Sequence, residues 1–343
     1  MRLFPQRTSA AHSHQEPRTR EGSRVSPIAP PDNNRKNRIA EIEHNHGPAI
    51  RQEAESLAGR GREALKANAG SVLSAAAAEK ICDRFDIEDI EFLMALLVDT
   101  AALRARPPIS GFFVGAVGLE AETGNLILGG NLEFPGTHLG FSVHGEGFVS
   151  SRAFSRGTSV KTIALSGAHP CGHCRQYLSE FAIGADLNLV DPLGHRLKLA
   201  DLYPWPFSPE ALDEKGAEGG RINFPDLALA DSISDAIAPA LLAAGKRAHA
   251  PYSRSPGAVV LELKGGALIS GATIESVAFN PTMPPLQAAL IDLLAHGFDY
   301  NDIERATLGT VTGGPVDYAR STAELLTILA PQASLDVHNW SGL

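Results

Sequence analysis

Two short segments, His144-Gly145-Glu146 and Pro170-Cys171-Gly172-His173-Cys174, restrict the fold of this chain more than anything else in it. Cys171 and Cys174 are two residues apart, a spacing at which both sulfurs in the first turn of a helix can grip one ion. His144 adds a third, borderline-soft ligand from a separate helix start. Three protein ligands leave one position open on a tetrahedral zinc, the mark of a catalytic site rather than a structural one. Water held there is acidified toward neutrality. Glu146, two residues past His144, is placed to move protons without binding the metal. Pro170 suits a first helical turn, where its missing N–H costs nothing. The positive helix end then favours thiolate, the form that binds metal. A C-x-x-C alone also serves redox pairs, and an H-x-E alone is ordinary helix surface; the two in order, with Pro170, select zinc. His169 and His173 are rival fourth ligands. His173, between the cysteines, points more naturally to solvent or to the surroundings of the ligand set.

With 343 residues the chain can build two domains. It contains no run of eighteen apolar residues, so no membrane span is expected. A formal charge of −9 argues against a dedicated nucleic-acid binder. Of three cysteines, two are claimed by the metal and Cys82 is left over, so no disulfide framework is expected and a reducing cytoplasm fits.

Residues 1–47 are polar, with little apolar periodicity, and are expected to be a disordered extension. Glu16, Glu21 and Asp32 count against a transit peptide. His12, His14, His44 and His46 are read as solvated, although such a group can take metal adventitiously. Residues 48–105 turn helical, with Leu57, Leu65, Leu73, Ile81, Phe85 and the run 92–98 marking about three packed helices. Cys82 reads as a small buried apolar residue. Strands are expected at 112–119 and 126–128 around the Thr123-Gly124-Asn125 turn, then at 162–166 and 187–190, with a second hairpin at Pro192-Leu193-Gly194. The Cys helix follows the third of these. This alternation predicts an α/β layered domain over 106–225.

A linker over about 208–226 leads into an internal repeat, 226–343. Pro108-Ile109-Ser110 and Gly115-Ala116-Val117 return as Pro251-Tyr252-Ser253 and Gly257-Ala258-Val259. Gly130-Asn131-Leu132-Glu133 returns as Gly271-Ala272-Thr273-Ile274-Glu275. Where the first copy has His144-Gly145-Glu146, the second has Pro284-Pro285-Leu286, and no cysteine follows Cys174. The second copy is expected to keep the fold without the metal.

Taken together, Gly115-Ala116-Val117, Asn131-Leu132-Glu133-Phe134, the H-x-E and P-C-x-x-C motifs, the segment 201–209 (DLYPWPFSP) and the segment 278–287 (AFNPTMPPLQ) resemble the two-domain, homodimeric cytidine deaminases. The likeness runs from about residue 48 to about 330. It implies α/β/α layers around a mixed central sheet, present twice, with a small helical region in front. It implies hydrolytic deamination of cytidine and 2′-deoxycytidine in pyrimidine salvage, with Zn2+ on His144, Cys171 and Cys174 and with Glu146 shuttling protons. By the same resemblance Asn131 and Glu133 hold the ribose hydroxyl, and Phe112 and Phe207 pack on the pyrimidine. Ala278 and Phe279 complete the active site of the partner subunit in a homodimer. A carboxylate such as Glu133 is a strong acceptor for a sugar hydroxyl and repels a phosphate on it, which disfavours polynucleotide substrates. For Asn131 and Glu133 the competing reading is service to the turn after the hairpin. For the three phenylalanines it is core packing.

The sequence departs from the family at three places: Gly145 and Gly147 stand where Ala and Gln are usual, and Ser208 stands for Gly. Gly145 keeps a backbone N–H able to meet the base's carbonyl oxygen, while two glycines weaken a helix start. A zinc-stabilised nucleoside-binding protein with weak turnover, or a deaminase of another aminopyrimidine, are the alternatives. Editing of RNA or DNA is disfavoured by Glu133 and by the lack of a basic, aromatic stretch.

Overall fold

Asp32 opens the first helix, its carboxylate accepting from the backbone N–H groups of Asn34 and Arg35. The structure, a computed structural model, describes residues 28–167 and 169–343. Helix α1 (Asn33–Leu57) runs through Pro48 and buries Ile39, Ile42, Ile50 and Ala54 along one stripe. Residues 33–47, expected as part of a disordered extension, are therefore helical. The readings made for residues 1–27, His12 and His14 among them, lie outside the described residues.

After α1 come α2 (Gly61–Lys66), the two-residue strand β1 (Val72–Leu73), α3 (Ala75–Phe85), α4 (Ile90–Leu96) and α5 (Val98–Ala101). Cys82 on α3 is only half-buried, and burial pushes its thiol up to about 11.

The first repeat comprises β2 (Gly115–Glu120), β3 (Leu126–Gly130), α6 (Gly145–Arg156), β4 (Val160–Leu165), α7 (Gly172–Leu178), β5 (Asn188–Val190), β6 (Arg196–Lys198) and α8 (Leu199–Leu202). Its mixed sheet has the order β1-β3-β2-β4-β5-β6, with β4 and β5 parallel. Alternate side chains divide between two cores. Val117, Leu119, Leu126, Leu128 and Ala164 face α1 and α3–α5, while Ala116, Ile127, Ile163 and Leu165 face Val149 and Ala153 of α6. Both faces being covered, the strands read as continuous apolar runs.

The second repeat comprises β7 (Ala228–Leu229), α9 (Ala238–Arg247), β8 (Ala258–Leu263), β9 (Leu268–Ala272), α10 (Pro285–Ala295), β10 (Ile303–Thr310), α11 (Ala319–Leu329) and β11 (Ser334–Ser341), in the sheet order β7-β11-β10-β8-β9. The shared core of the repeats is β3-β2-β4-β5 in the first and β9-β8-β10-β11 in the second, each with one parallel pair at the same place. Among the described residues no helix is long and apolar enough to cross a membrane.

The repeats meet where α6 lies against α10, and α10 is buried along its whole length. Here Arg152 is fully buried and reaches Asp292 at 3.2 Å, the Gly70 carbonyl oxygen at 3.3 Å and the Asn68 carbonyl oxygen at 3.0 Å. His296 donates from Nδ1 to the Asp292 carbonyl oxygen at 2.8 Å, which leaves Nε2 to accept from Arg152. Burial, and then the Arg152 charge, hold His296 below the ordinary histidine value of 6.5. Below about 6.5 the unfolded chain takes up a proton that the folded chain refuses, so folding stability falls as acid is added. Unfolding by urea at steps from neutral pH down to about 5 is expected to show this loss. The wild type should lose more stability over that window than His296→Gln; equal slopes would remove His296 from the account.

Candidate metal centre

His144 is the N-cap residue of α6 and Cys171 that of α7, so the two motifs sit at two helix starts brought face to face. His144 Nδ1 lies 3.3 Å from Cys174 Sγ and 3.5 Å from Cys171 Sγ. Around a tetrahedral zinc with Zn–S near 2.3 Å and Zn–N near 2.0–2.1 Å, sulfur and nitrogen stand about 3.5 Å apart. The donor set therefore fits zinc in both chemistry and spacing. The Cys171 thiol is pushed down to about 4, first by a hydrogen bond from Cys174 and then by the backbone N–H groups of Cys174 and His173, against the cost of burial. That same bond, with burial, pushes the Cys174 thiol up. Neither His169 nor His173 joins the set, and His173 is exposed.

Glu146 lies in the first turn of α6 and is buried beside the sulfurs. Burial raises its pKa above that of an ordinary carboxylate. The centre opens into a cavity of about 550 Å³ lined by Phe112, Asn131, Glu133, His144, Gly145, Glu146 and Cys171 among others. This is the size range of small-molecule sites. Phe207, Ala278 and Phe279 do not line it. Phe207 is exposed, with its carbonyl oxygen held by Gln176 Nε2 at 2.6 Å. Phe279 is 66% exposed on a turn of the second repeat, in the left-handed region at φ 63°.

One wall of the cavity is built by Asn131 and Glu133. Asn131 accepts from the Val114 N–H and donates to the Phe112 carbonyl oxygen, each at 2.9 Å. Glu133 accepts from the N–H groups of Ile109 and Ser110 at 2.9 Å and from Ser110 Oγ at 2.6 Å. Burial works to raise the Glu133 pKa, but these bonds hold it below the usual carboxylate value. Three of roughly four acceptor positions are used, which leaves one for a ligand. The second repeat copies the arrangement: Glu275 accepts from the N–H groups of Tyr252 and Ser253 and from Ser253 Oγ. Ser110 was not among the expected site residues, although its recurrence as Ser253 beside the matching glutamate was the available signal. Pro284 caps α10 where His144 caps α6, and the described part of the second repeat holds no set of metal ligands.

The two glycines of α6 differ. A Cβ on Gly145 would meet Ala116 Cβ at 2.9 Å, so glycine lets this helix approach β2. A Cβ on Gly147 would lie 3.4 Å from Val143 and 3.5 Å from Met283, which is ordinary contact. Gly147→Ala is expected to stabilise the chain by about 0.5–1 kcal/mol through helix propensity, whereas Gly145→Ala should destabilise it. Urea midpoints of the two variants check this; a loss of stability in Gly147→Ala would contradict it.

Residues 87–186 match the family model of the cytidine and deoxycytidylate deaminase zinc-binding region, and residues 196–323 match a second model of the same description. The chain belongs to the cytidine and deoxycytidylate deaminase family. Zinc is its cofactor. The second match begins at 196, ahead of the expected repeat boundary at 226, and covers the part of the chain without cysteine. Among solved structures, the chain is similar to the cytidine deaminase from Burkholderia pseudomallei, with 23% identity over 32% of this chain and 86% of that one and a TM-score of 0.28. The Mycobacterium leprae cytidine deaminase matches at 22% identity, over 28% of this chain and 81% of that one, with a TM-score of 0.24. That from Mycobacterium tuberculosis matches at 20% identity, over 27% and 76%, with a TM-score of 0.23.

Proposed function

We propose that this chain is a zinc-dependent hydrolase that converts cytidine and 2′-deoxycytidine, with water, into uridine and 2′-deoxyuridine and ammonia. The observation that carries the reading is the tetrahedrally spaced trio His144, Cys171 and Cys174 with the buried Glu146 carboxyl beside it, at one end of the cavity. Zinc, when bound, supplies the Lewis acidity that makes water a nucleophile at neutral pH. Glu146 takes a proton from the attacking water and delivers it to N3 of the cytosine ring. It then takes the second proton from the hydroxyl now on C4 and passes it to the amine, so that the C4–N bond breaks, ammonia leaves and the C4 carbonyl forms. The raised pKa of Glu146 suits a group that must both accept and release a proton. The Gly145 N–H is available to the ring carbonyl oxygen. Phe112 offers its face to the pyrimidine, and Glu133 uses its remaining acceptor position for a sugar hydroxyl, with Asn131 holding the loop. Gly145 is a packing requirement against Ala116, so it is no sign of a decayed site.

The cavity wall carries Ile109, Phe112 and Leu139, each at least half exposed, an apolar rim of the kind that a second subunit covers. We assign that role to a second copy of this chain, whose Ala278 and Phe279 would complete the site. Three free cysteines among the described residues fit a reducing, cytoplasmic setting, and the proposed reaction fits pyrimidine salvage.

A substrate panel tests the reading: cytidine, 2′-deoxycytidine, deoxycytidylate and a 5-substituted cytidine, compared by kcat/KM. The two unphosphorylated nucleosides should lead. A preference for deoxycytidylate, or for another aminopyrimidine, would reassign the substrate and leave the chemistry in place.

A further inference from the structure

Beside the metal centre lies a second group of ligating side chains, which the proposed reaction does not use. His169, Asp191 and His195 each offer one ligand atom, and these atoms lie within 4.8 Å of one another. His195 Nδ1 is 2.7 Å from Asp191 Oδ2, and His169 Nε2 is 3.9 Å from the same oxygen. The two imidazole rings stand edge to face at 5.0 Å. Asp191 sits just past the end of β5, and His195 lies across the turn that leads to β6. Asp191 Oδ1 accepts from the backbone N–H groups of Leu193 and His195, at 2.9 and 3.0 Å. The carboxylate is thus fixed by one oxygen and presents the other to both rings, the support that ligating carboxylates ordinarily have.

We propose that His169, Asp191 and His195 form a second binding site, for a divalent first-row transition ion, at the rim of the cavity. Two imidazoles and one carboxylate suit zinc, cobalt, nickel or copper; calcium and magnesium call for an all-oxygen cage. Ligands roughly 2.1 Å from an ion stand about 3 Å apart at right angles and about 4.2 Å apart when opposite. The separations of 2.7 and 3.9 Å fall near and between these limits. A tetrahedral arrangement, at about 3.4 Å, falls between them as well, and water fills the positions that the three side chains leave. Only His169 belongs to both places, lining the cavity while it faces Asp191. An ion here sets positive charge at the cavity mouth.

The test uses the full-length protein after zinc loading and removal of loose metal. Equilibrium dialysis against micromolar zinc, with metal content read by mass spectrometry, should give a second equivalent in the wild type. His195→Ala and His169→Ala, each checked for native circular dichroism, should retain only the first. Cobalt added to the zinc-loaded protein should give a visible absorption that is absent in both variants. A wild type that stops at one equivalent would overturn the proposal. So would a second equivalent that persists in the His169→Ala/His195→Ala double variant, which would place that metal elsewhere, as on His44 and His46.

Discussion

Glu146→Gln is expected to keep its zinc and lose its turnover. The substitution preserves size and hydrogen-bonding reach but leaves no group able to carry a proton. Glu146 is absent from the set formed by His144, Cys171 and Cys174, so metal content should be unchanged. Removing a positioned acid–base group lowers kcat by about 10²–10⁴-fold. Its environment explains the size of the effect: the side chain is 5% exposed, so bulk water has little means of replacing it as a proton carrier. Zinc content and kcat measured on one preparation decide the matter. Full zinc with kcat within tenfold of wild type would remove Glu146 from the proton path.

The largest effect on stability is expected at Arg152. Its guanidinium is fully buried, and it binds Asp292 on α10, Asn68 and Gly70 ahead of β1, and Ser155 within α6. It ties the helical region and both repeats at one point. Burial depresses its pKa and the Asp292 charge opposes that depression. Replacing one member of a buried pair strands the other without a counter-charge and costs about 3–5 kcal/mol. Arg152→Met is therefore expected to lose that much in urea unfolding, by destabilising Asp292. A double variant, Arg152→Met with Asp292→Leu, should recover much of the loss, because two apolar groups of similar bulk leave no orphaned charge. If the double variant is no better than the single one, the pair is not the reason that Arg152 matters.

The candidate ligands were legible because each motif is local, with residues of the right type at a helix start, while the meeting of His144 with Cys171 and Cys174 is the work of the fold. The repeat was legible because Pro108-Ile109-Ser110 and Glu133 recur as Pro251-Tyr252-Ser253 and Glu275, and the hydrogen bonds between serine and glutamate recur with them. The first half of α1 was hidden by composition. Asn33 to Arg38 are polar throughout, and Gly47-Pro48 reads as a helix boundary, yet Ile39, Ile42, Ile50 and Ala54 form one buried stripe across it. Arg152 was hidden for the opposite reason. Between Ser151 and Ala153 it reads as helix surface, and only α10 of the second repeat, distant in sequence, makes that surface an interior. The pairing of His169 with Asp191 and His195 likewise depends on the chain folding back through β5 and β6, which no local pattern encodes.

The most direct measurement is turnover of cytidine by the zinc-loaded protein in water enriched in ¹⁸O. The account predicts one ammonia released for each uridine formed and one ¹⁸O at C4 of the product, with all turnover lost when zinc is removed and regained when it is restored. A fully zinc-loaded protein that converts neither cytidine nor 2′-deoxycytidine, or a product whose C4 oxygen does not come from water, would contradict it.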